Sequence, residues 1–119
     1  MEIERKFLVD RDIWEQQTKP VPKIIKQGYL SSSNECTVRV RTKNDQGFIT
    51  IKGKTVGISR EEFEYEIPID EATQLLEQFT TKSIFKRRFE IEYKGKIWEV
   101  DEFEGRHAPL ILAEIELDS

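Results

Sequence analysis

The segment EIERKFLV at residues 2–9 places charged side chains at the alternate positions 2, 4 and 6. In an extended strand, Glu2, Glu4 and Lys6 project from one face, while apolar side chains dominate the other. Carboxylates are the ligands that hard divalent cations prefer, and a lysine ammonium attracts anions such as phosphate. The charged face is therefore either a site for a metal-bound phosphate or an ordinary solvated face.

The same alternation returns in later segments, and there the charges come in blocks of one sign. Arg39 and Arg41 share one strand face, for example, and so do Glu114 and Glu116. Like charges side by side repel each other unless an opposite charge or a ligand compensates them. Grouped Arg and Lys suit phosphate oxygens, and grouped carboxylates suit divalent cations. Two interpretations stay open: a sandwich with solvated charged faces, or a barrel whose charged interior binds a metal-bound polyphosphate.

Most of the chain alternates with the period of a strand, which predicts a β-rich fold. Helical periodicity is confined to residues 70–79, where Asp70 is the predicted cap, and to a shorter turn over 10–17. The sequences NDQG (44–47) and YKGK (93–96) predict hairpin turns whose glycines can take a positive φ. Strands are predicted near 2–9, 26–32, 36–43, 47–53, 60–67, 83–93, 96–103 and 111–117. Strands joined by such short turns predict one antiparallel sheet, curled into a barrel or folded as a sandwich.

The length of 119 residues predicts a single domain with a core of its own. The net charge of −4 argues against nucleic acid or an anionic membrane as a partner, because both attract a basic excess. It leaves a small anionic ligand open, since charge can be sorted locally. A single cysteine, Cys36, fits a reducing compartment, and neither a membrane-spanning run nor a signal peptide is recognisable. We therefore expect a cytoplasmic protein.

A series of short motifs resembles the CYTH superfamily, also called triphosphate tunnel metalloenzymes, and its small bacterial members in particular. In chain order these motifs are EIERKFLV, QGYL (27–30), RVR (39–41), TIKGK (50–54), SREEFEYEI (59–67), KRR (86–88), WEVDEFEG (98–105) and LAEIEL (112–117). The resemblance implies an all-β dominated (α+β) fold. Its form would be an eight-stranded antiparallel β-barrel forming a tunnel, with one or two short helices outside, over a single domain at residues 1–119. Relatives usually continue for several dozen residues beyond the last motif, so the chain is expected to be C-terminally short for the family.

The resemblance also implies a role for each charged residue that matches a family position. A divalent cation, Mg²⁺ or Mn²⁺, would be held by Glu2, Glu4, Asp101, Glu114 and Glu116, with Glu62 and Glu64 as supporting carboxylates. Substrate phosphates would be bound by Lys6, Arg39, Arg41, Lys52, Lys54, Lys86 and Arg88, whereas Arg87 would point outward. The catalytic residues would be Glu2, Glu4, Lys6, Arg39 and Arg41.

The activity that these expectations favour is metal-dependent hydrolysis of a triphosphate, with inorganic tripolyphosphate as the leading substrate. Class IV adenylyl cyclase and thiamine triphosphatase remain alternatives within the family. A non-catalytic module that binds nucleotide or polyphosphate is a third. The expected partner is a small molecule that contains a triphosphate, with no nucleic acid and no membrane. A homodimer is left open, because an ionic interior forces apolar side chains outward.

Overall fold

The computed structural model describes residues 2–80 and 82–117, and all of their side chains except those of Glu2, Ile3, Arg106 and Leu117. The strands are β1 Glu2–Leu8, β2 Lys23–Ser32, β3 Cys36–Lys43, β4 Gln46–Gly53, β5 Ser59–Arg60, β6 Glu62–Ile67, β7 Ser83–Tyr93, β8 Lys96–Phe103 and β9 Ile111–Leu117. Two α-helices, α1 Arg11–Glu15 and α2 Ile69–Phe79, and a 3₁₀ turn at Gly105–His107 complete the described elements. Neither of these α-helices has the length and apolar character needed to cross a membrane.

The strands form one antiparallel sheet in the order β5-β1-β9-β8-β7-β2-β3-β4-β6. Its two outermost strands follow each other in the chain, since only Glu61 lies between β5 and β6. Arg60 of β5 pairs with Glu2 of β1, and Glu62 of β6 pairs with Lys52 of β4. The predicted strand at 60–67 is therefore one bent segment that links both ends of the curled sheet. With that segment counted once, the eight-stranded antiparallel fold predicted from the sequence is confirmed.

Helix α1 covers one apolar patch on the outer face of the sheet. Its N-cap is Asp10, whose carboxylate accepts a hydrogen bond of 3.2 Å from the backbone N–H of Ile13. Trp14 is the one buried side chain of this helix. It packs into a cluster formed with Phe89, Val100, Ile111 and Ala113. The predicted short helix at 10–17 thus exists because its tryptophan fills the apolar face of β7, β8 and β9.

Helix α2 covers a second outer patch and begins one residue earlier than predicted. The prediction that Asp70 caps this helix is wrong, because the N-cap position is Pro68 and no side chain there makes a capping bond. Asp70 instead lies in the first turn, where a carboxylate interacts favourably with the helix dipole. Ala72 and Leu76 are the buried side chains and pack on Val40 of β3.

Gly47 serves this helix packing rather than a turn. The positive φ angles of the two hairpins belong to Asn44 (54°), Lys94 (52°) and Gly95 (76°), so the prediction for Gly95 is confirmed and that for Gly47 is wrong. Gly47 lies within β4, beneath α2. A Cβ atom added there would lie 2.6 Å from the Cβ of Ala72. The helix can approach the sheet this closely only because position 47 has no side chain.

We expect Gly47→Ala to lower the free energy of unfolding by about 1–3 kcal/mol, because the rigid Ala72 methyl and its helix would have to shift. Gly53→Ala is the matched control. A Cβ at position 53 would meet its nearest atom, the Cβ of Glu61, at an ordinary 3.7 Å. Urea denaturation of both variants measures the difference, and equal stability of the two would contradict the packing role of Gly47.

Candidate active site

The charged faces of the strands surround one cavity of about 640 Å³ inside the curled sheet. Its lining is Glu4, Lys6, Gln27, Tyr29, Ser32, Thr37, Arg39, Arg41, Lys43, Lys52, Arg60, Glu62, Glu64, Ile84, Lys86, Arg88, Glu99, Asp101, Phe103, Leu112, Glu114 and Glu116. Most of these side chains are ionic, and they come from strands on every side of the sheet. The sandwich with solvated charged faces is therefore wrong, and the charged interior is the arrangement observed.

The cavity brings together almost every residue that the sequence assigned to a site. Lys54 is the exception among those described, because β4 ends at Gly53 and the exposed Lys54 side chain does not line the cavity. The side chain of Glu2 lies outside the described residues, although the strand that carries it is present. Arg87 points outward as expected and pairs there with Glu102 and Glu104.

Two buried arginines on β3 have no ionic partner among the described residues. Arg39 and Arg41, called here the arginine pair, are each 8% exposed. The Nε atom of Arg41 donates a 3.0 Å hydrogen bond to Gln27. Arg39 donates one long bond of 3.4 Å to the hydroxyl of Thr50, and its Nε atom has no partner within the described part of the chain. Two neutral side chains thus contact the pair, and no carboxylate of the described residues lies within ion-pair distance of it.

The environment makes the positive charge of Arg41 costly. Burial lowers the pKa of Arg41 to about 10, and the nearby charges of Arg39 and Arg88 act in the same direction. Glu64 and Glu99 raise it, but by less. Water is largely excluded from a buried cation, so an anionic ligand that supplies the missing charge would be bound strongly.

Two other buried cations are held by a carboxylate instead. Asp101 accepts two hydrogen bonds from Arg88, at 2.8 and 2.9 Å, and lies 2.7 Å from Nζ of Lys86. Burial alone would raise the pKa of Asp101, but the bonds and charge of Arg88, followed by Lys86, hold it below its usual value. Burial lowers the pKa of Lys86 to about 8 although Asp101 opposes the shift. For Arg88, burial likewise acts downward, but the hydrogen bonds that it donates to Asp101, together with the negative charges of Asp101, Glu99 and Glu90, outweigh burial and raise the pKa.

Carboxylates dominate the opposite side of the cavity, on β1, β9 and β8. Glu4 lies directly across from Glu116 on the neighbouring strand, and Glu99 lies directly across from Glu114. Like charges in directly opposed positions destabilise a sheet unless a cation lies between them. This group of four glutamates, called here the acidic wall, is the complement of the arginine pair.

The donor types of the acidic wall fit Mg²⁺ or Mn²⁺, which take carboxylate oxygens as ligands. Among the side chains that the structure describes, no three acidic, histidine or cysteine groups converge into a complete metal cage. Mg²⁺ is commonly held by one or two carboxylates together with substrate phosphates, so a preformed cage is not required. Asp101 fits less well than Glu4, Glu114 and Glu116, because its oxygens already accept bonds from two cations.

The cavity also includes residues that the charge pattern did not predict. Gln27 and Thr37 are neutral, and a search for blocks of charge passes over them. Lys43 and Arg60 lie at strand ends, where the alternation of inward and outward positions is hardest to follow in a sequence. The sequence signal for Gln27 is its spacing. It precedes Tyr29 by two residues in β2, so the two side chains share one strand face, and both line the cavity.

Comparisons with known proteins agree on one family. The CYTH domain pattern matches residues 1–119. The chain is 44% identical over 117 residues to an inorganic triphosphatase of Acetivibrio thermocellus, and the alignment covers 98% of this chain and 74% of that protein. It is 32% identical over 117 residues to an inorganic triphosphatase of Nitrosomonas europaea, and the alignment covers 97% of this chain and 75% of that protein.

A solved structure has the same fold. The structure of a putative adenylate cyclase from Bacillus halodurans matches with a TM-score of 0.79, over 100% of this chain and 81% of that one. The two sequences are 19% identical, so the likeness concerns the fold alone.

We expect Asp101→Asn to lower the free energy of unfolding by about 3 kcal/mol, because it removes the carboxylate bonded to Lys86 and leaves Arg88 with Glu99 alone, at 3.3 Å. Glu104→Gln is the control, since it breaks a partly exposed pair with Arg87 and should cost less than about 1 kcal/mol. Chemical denaturation measures both changes. Equal losses in the two variants would contradict the structural role of the Asp101 contacts.

Proposed function

The chain belongs to the CYTH domain family, and on that basis we propose that it catalyses the metal-dependent hydrolysis of inorganic tripolyphosphate. The two inorganic triphosphatases to which it is similar support this reaction. The activity makes the chain a hydrolase acting on a phosphoanhydride bond. Water attacks the terminal phosphorus in line, the bridging P–O bond breaks, and phosphate and pyrophosphate leave.

The observation that carries this proposal is the arginine pair inside the cavity. Arg39 and Arg41 are buried cations without a carboxylate partner in the described residues, and a planar guanidinium matches the oxygens of a phosphate. A linear triphosphate supplies several negative charges within a narrow chain, and the interior of an eight-stranded barrel suits one small ligand. The ligand would therefore offset the electrostatic cost of burying the arginine pair.

The chain's own residues bind and orient the substrate. Arg39 and Arg41 hold phosphate oxygens, and they offset the negative charge that shifts to the leaving group during the reaction. Lys6 and Lys52 approach the phosphates from the acidic side, where Lys52 lies 3.1 Å from Glu62 and 3.9 Å from Glu4. No serine, cysteine or histidine nucleophile is needed, because water is the attacking group.

A divalent cation, Mg²⁺ or Mn²⁺, completes the proposal. Glu4, Glu114 and Glu116 would hold it together with Glu2, and Glu62 and Glu64 would support them. When bound, the ion withdraws charge from the phosphate oxygens. The glutamates would hold the ion on the side of the cavity opposite the arginine pair, so that substrate would meet positive charge from both sides.

We further propose that the protein acts in the cytoplasm and forms a homodimer. The free thiol of Cys36 supports the first point, because a reducing compartment keeps such a thiol unpaired. Exposed apolar side chains on the outer face, including Phe63 and Tyr65 of β6, support the second. Light scattering of the purified protein measures the dimer directly.

We expect tripolyphosphate to stabilise the protein, and Arg41→Ala to remove most of that effect. At a ligand concentration of 100 times Kd the wild type should gain about 2.7 kcal/mol, seen as a rise in melting temperature. Arg87→Ala is the matched control, because Arg87 is an outward-pointing arginine and should leave the rise intact.

The same samples test the reaction. Wild-type protein with Mg²⁺ or Mn²⁺ should release phosphate from tripolyphosphate, and it should form no cyclic AMP from ATP. Binding without phosphate release on long incubation would contradict the enzyme and support a binding module. Cyclic AMP formation would favour the cyclase.

We expect Glu4→Gln to abolish phosphate release at limiting Mg²⁺ while leaving the fold intact, because the change keeps the size of the side chain and removes its charge. Glu77→Gln, on the exposed face of α2, makes the same chemical change away from the cavity. Initial rates of phosphate release over a range of Mg²⁺ concentrations compare the Glu4→Gln variant with the Glu77→Gln control. An unchanged Mg²⁺ requirement in Glu4→Gln would exclude Glu4 as a ligand.

A further inference from the structure

The buried cations of the cavity fall into two classes that differ in their partners. Lys86 and Arg88 are held by the carboxylate of Asp101. The arginine pair is held by neutral oxygens, those of Gln27 and Thr50. All four cations are 6–8% exposed, so burial does not account for the difference. The distinction lies in whether the partner carries a charge.

Gln27 is the better defined of the two neutral partners. It is 5% exposed, and its Oε1 atom accepts a 3.0 Å bond from Nε of Arg41 on the neighbouring strand. The backbones of the two residues are directly paired in the sheet, so the contact is fixed by register. A glutamate would offer the same acceptor at the same place and would cancel the charge of Arg41. The amide fixes the guanidinium and leaves its charge in place.

Thr50 has the corresponding position beside Arg39. Its hydroxyl accepts the 3.4 Å bond from Arg39 and donates a 2.9 Å bond to Oε1 of Glu64. The hydroxyl thus lies between a cation and a carboxylate that would otherwise be free to turn toward each other. Thr50 is fully buried, so water does not replace it in this role.

We propose that Gln27 and Thr50 are positioning residues, which orient the arginine pair while keeping its positive charge uncompensated for the substrate. The inference rests on the proposed binding of a triphosphate in this cavity. It implies that the protein gives up stability here, because a carboxylate at either place would compensate a buried cation. Affinity for phosphate and stability of the ligand-free protein therefore change in opposite directions at position 27.

The test is the Gln27→Glu variant, measured without divalent metal so that binding alone is observed. We expect its melting temperature to rise and its affinity for tripolyphosphate, measured by titration calorimetry in EDTA, to fall about tenfold or more, as for the loss of one charged contact. Gln74→Glu on the exposed face of α2 is the matched control. It makes the same chemical change and the same change in net charge, and its affinity should equal that of the wild type.

A purely structural role for Gln27 predicts a different result. If Gln27 only supported packing, its replacement by Glu would not both raise the melting temperature and lower the affinity for tripolyphosphate. A Gln27→Glu variant that binds as tightly as the wild type, or that is less stable or unfolded, overturns the inference and leaves the proposed function standing. A wild-type protein that binds tripolyphosphate neither in EDTA nor with Mg²⁺ overturns both, whereas one that binds only with Mg²⁺ overturns the inference alone. The two failures are therefore distinguishable.

The Thr50→Val variant is a second measurement of the same inference. It removes the hydroxyl at nearly constant volume and frees Glu64 to pair with Arg39, so affinity should fall. Adding Glu64→Gln removes that carboxylate and should restore affinity toward that of the Glu64→Gln single variant. A double-mutant cycle with no coupling between positions 50 and 64 would contradict the role of Thr50.

Discussion

Burial of positive charge inside a curled sheet is the constraint on which the rest of this structure depends. Isolated charges are costly to remove from water, so each buried cation needs a carboxylate, a polar contact or a ligand. Asp101 meets that need for Lys86 and Arg88. The arginine pair has only the neutral contacts of Gln27 and Thr50 among the described residues. The fold therefore holds two buried guanidinium groups to which no carboxylate of the described residues is bonded.

The ionic interior reverses the usual distribution of apolar side chains. Because alternate residues of a strand face opposite sides, charges turned inward leave apolar residues on the outer face. The two helices cover part of that face, α1 through Trp14 and α2 through Ala72 and Leu76. Phe63 and Tyr65 on β6 remain more than half exposed. The core of this small protein thus lies outside its sheet, beneath two short helices, and its cavity lies within.

The division of charge across the cavity links architecture to chemistry. The arginine pair is on β3, whereas the acidic wall is built by β1, β8 and β9 on another part of the same sheet. Curling the sheet brings these groups to opposite sides of one space without any long loop. A phosphate chain and a divalent cation would each meet the opposite charge there. The rigid strands that carry both groups keep their positions set before the substrate binds.

The sequence by itself determined which residues form strands and which side chains share a face, because the two-residue period is a local property of the chain, and the family resemblance then indicated that the charged face is the interior. That is why Arg39, Arg41 and Glu114 were predicted correctly to share an interior. The tertiary structure alone decided which charges pair, because pairing depends on the register between separate strands. Asp101 meets Arg88 through the pairing of β7 with β8, and Gln27 meets Arg41 through that of β2 with β3. The packing of α2 on Gly47 was hidden for the same reason, since the helical period shows which face of α2 is buried but not which strand residue that face meets.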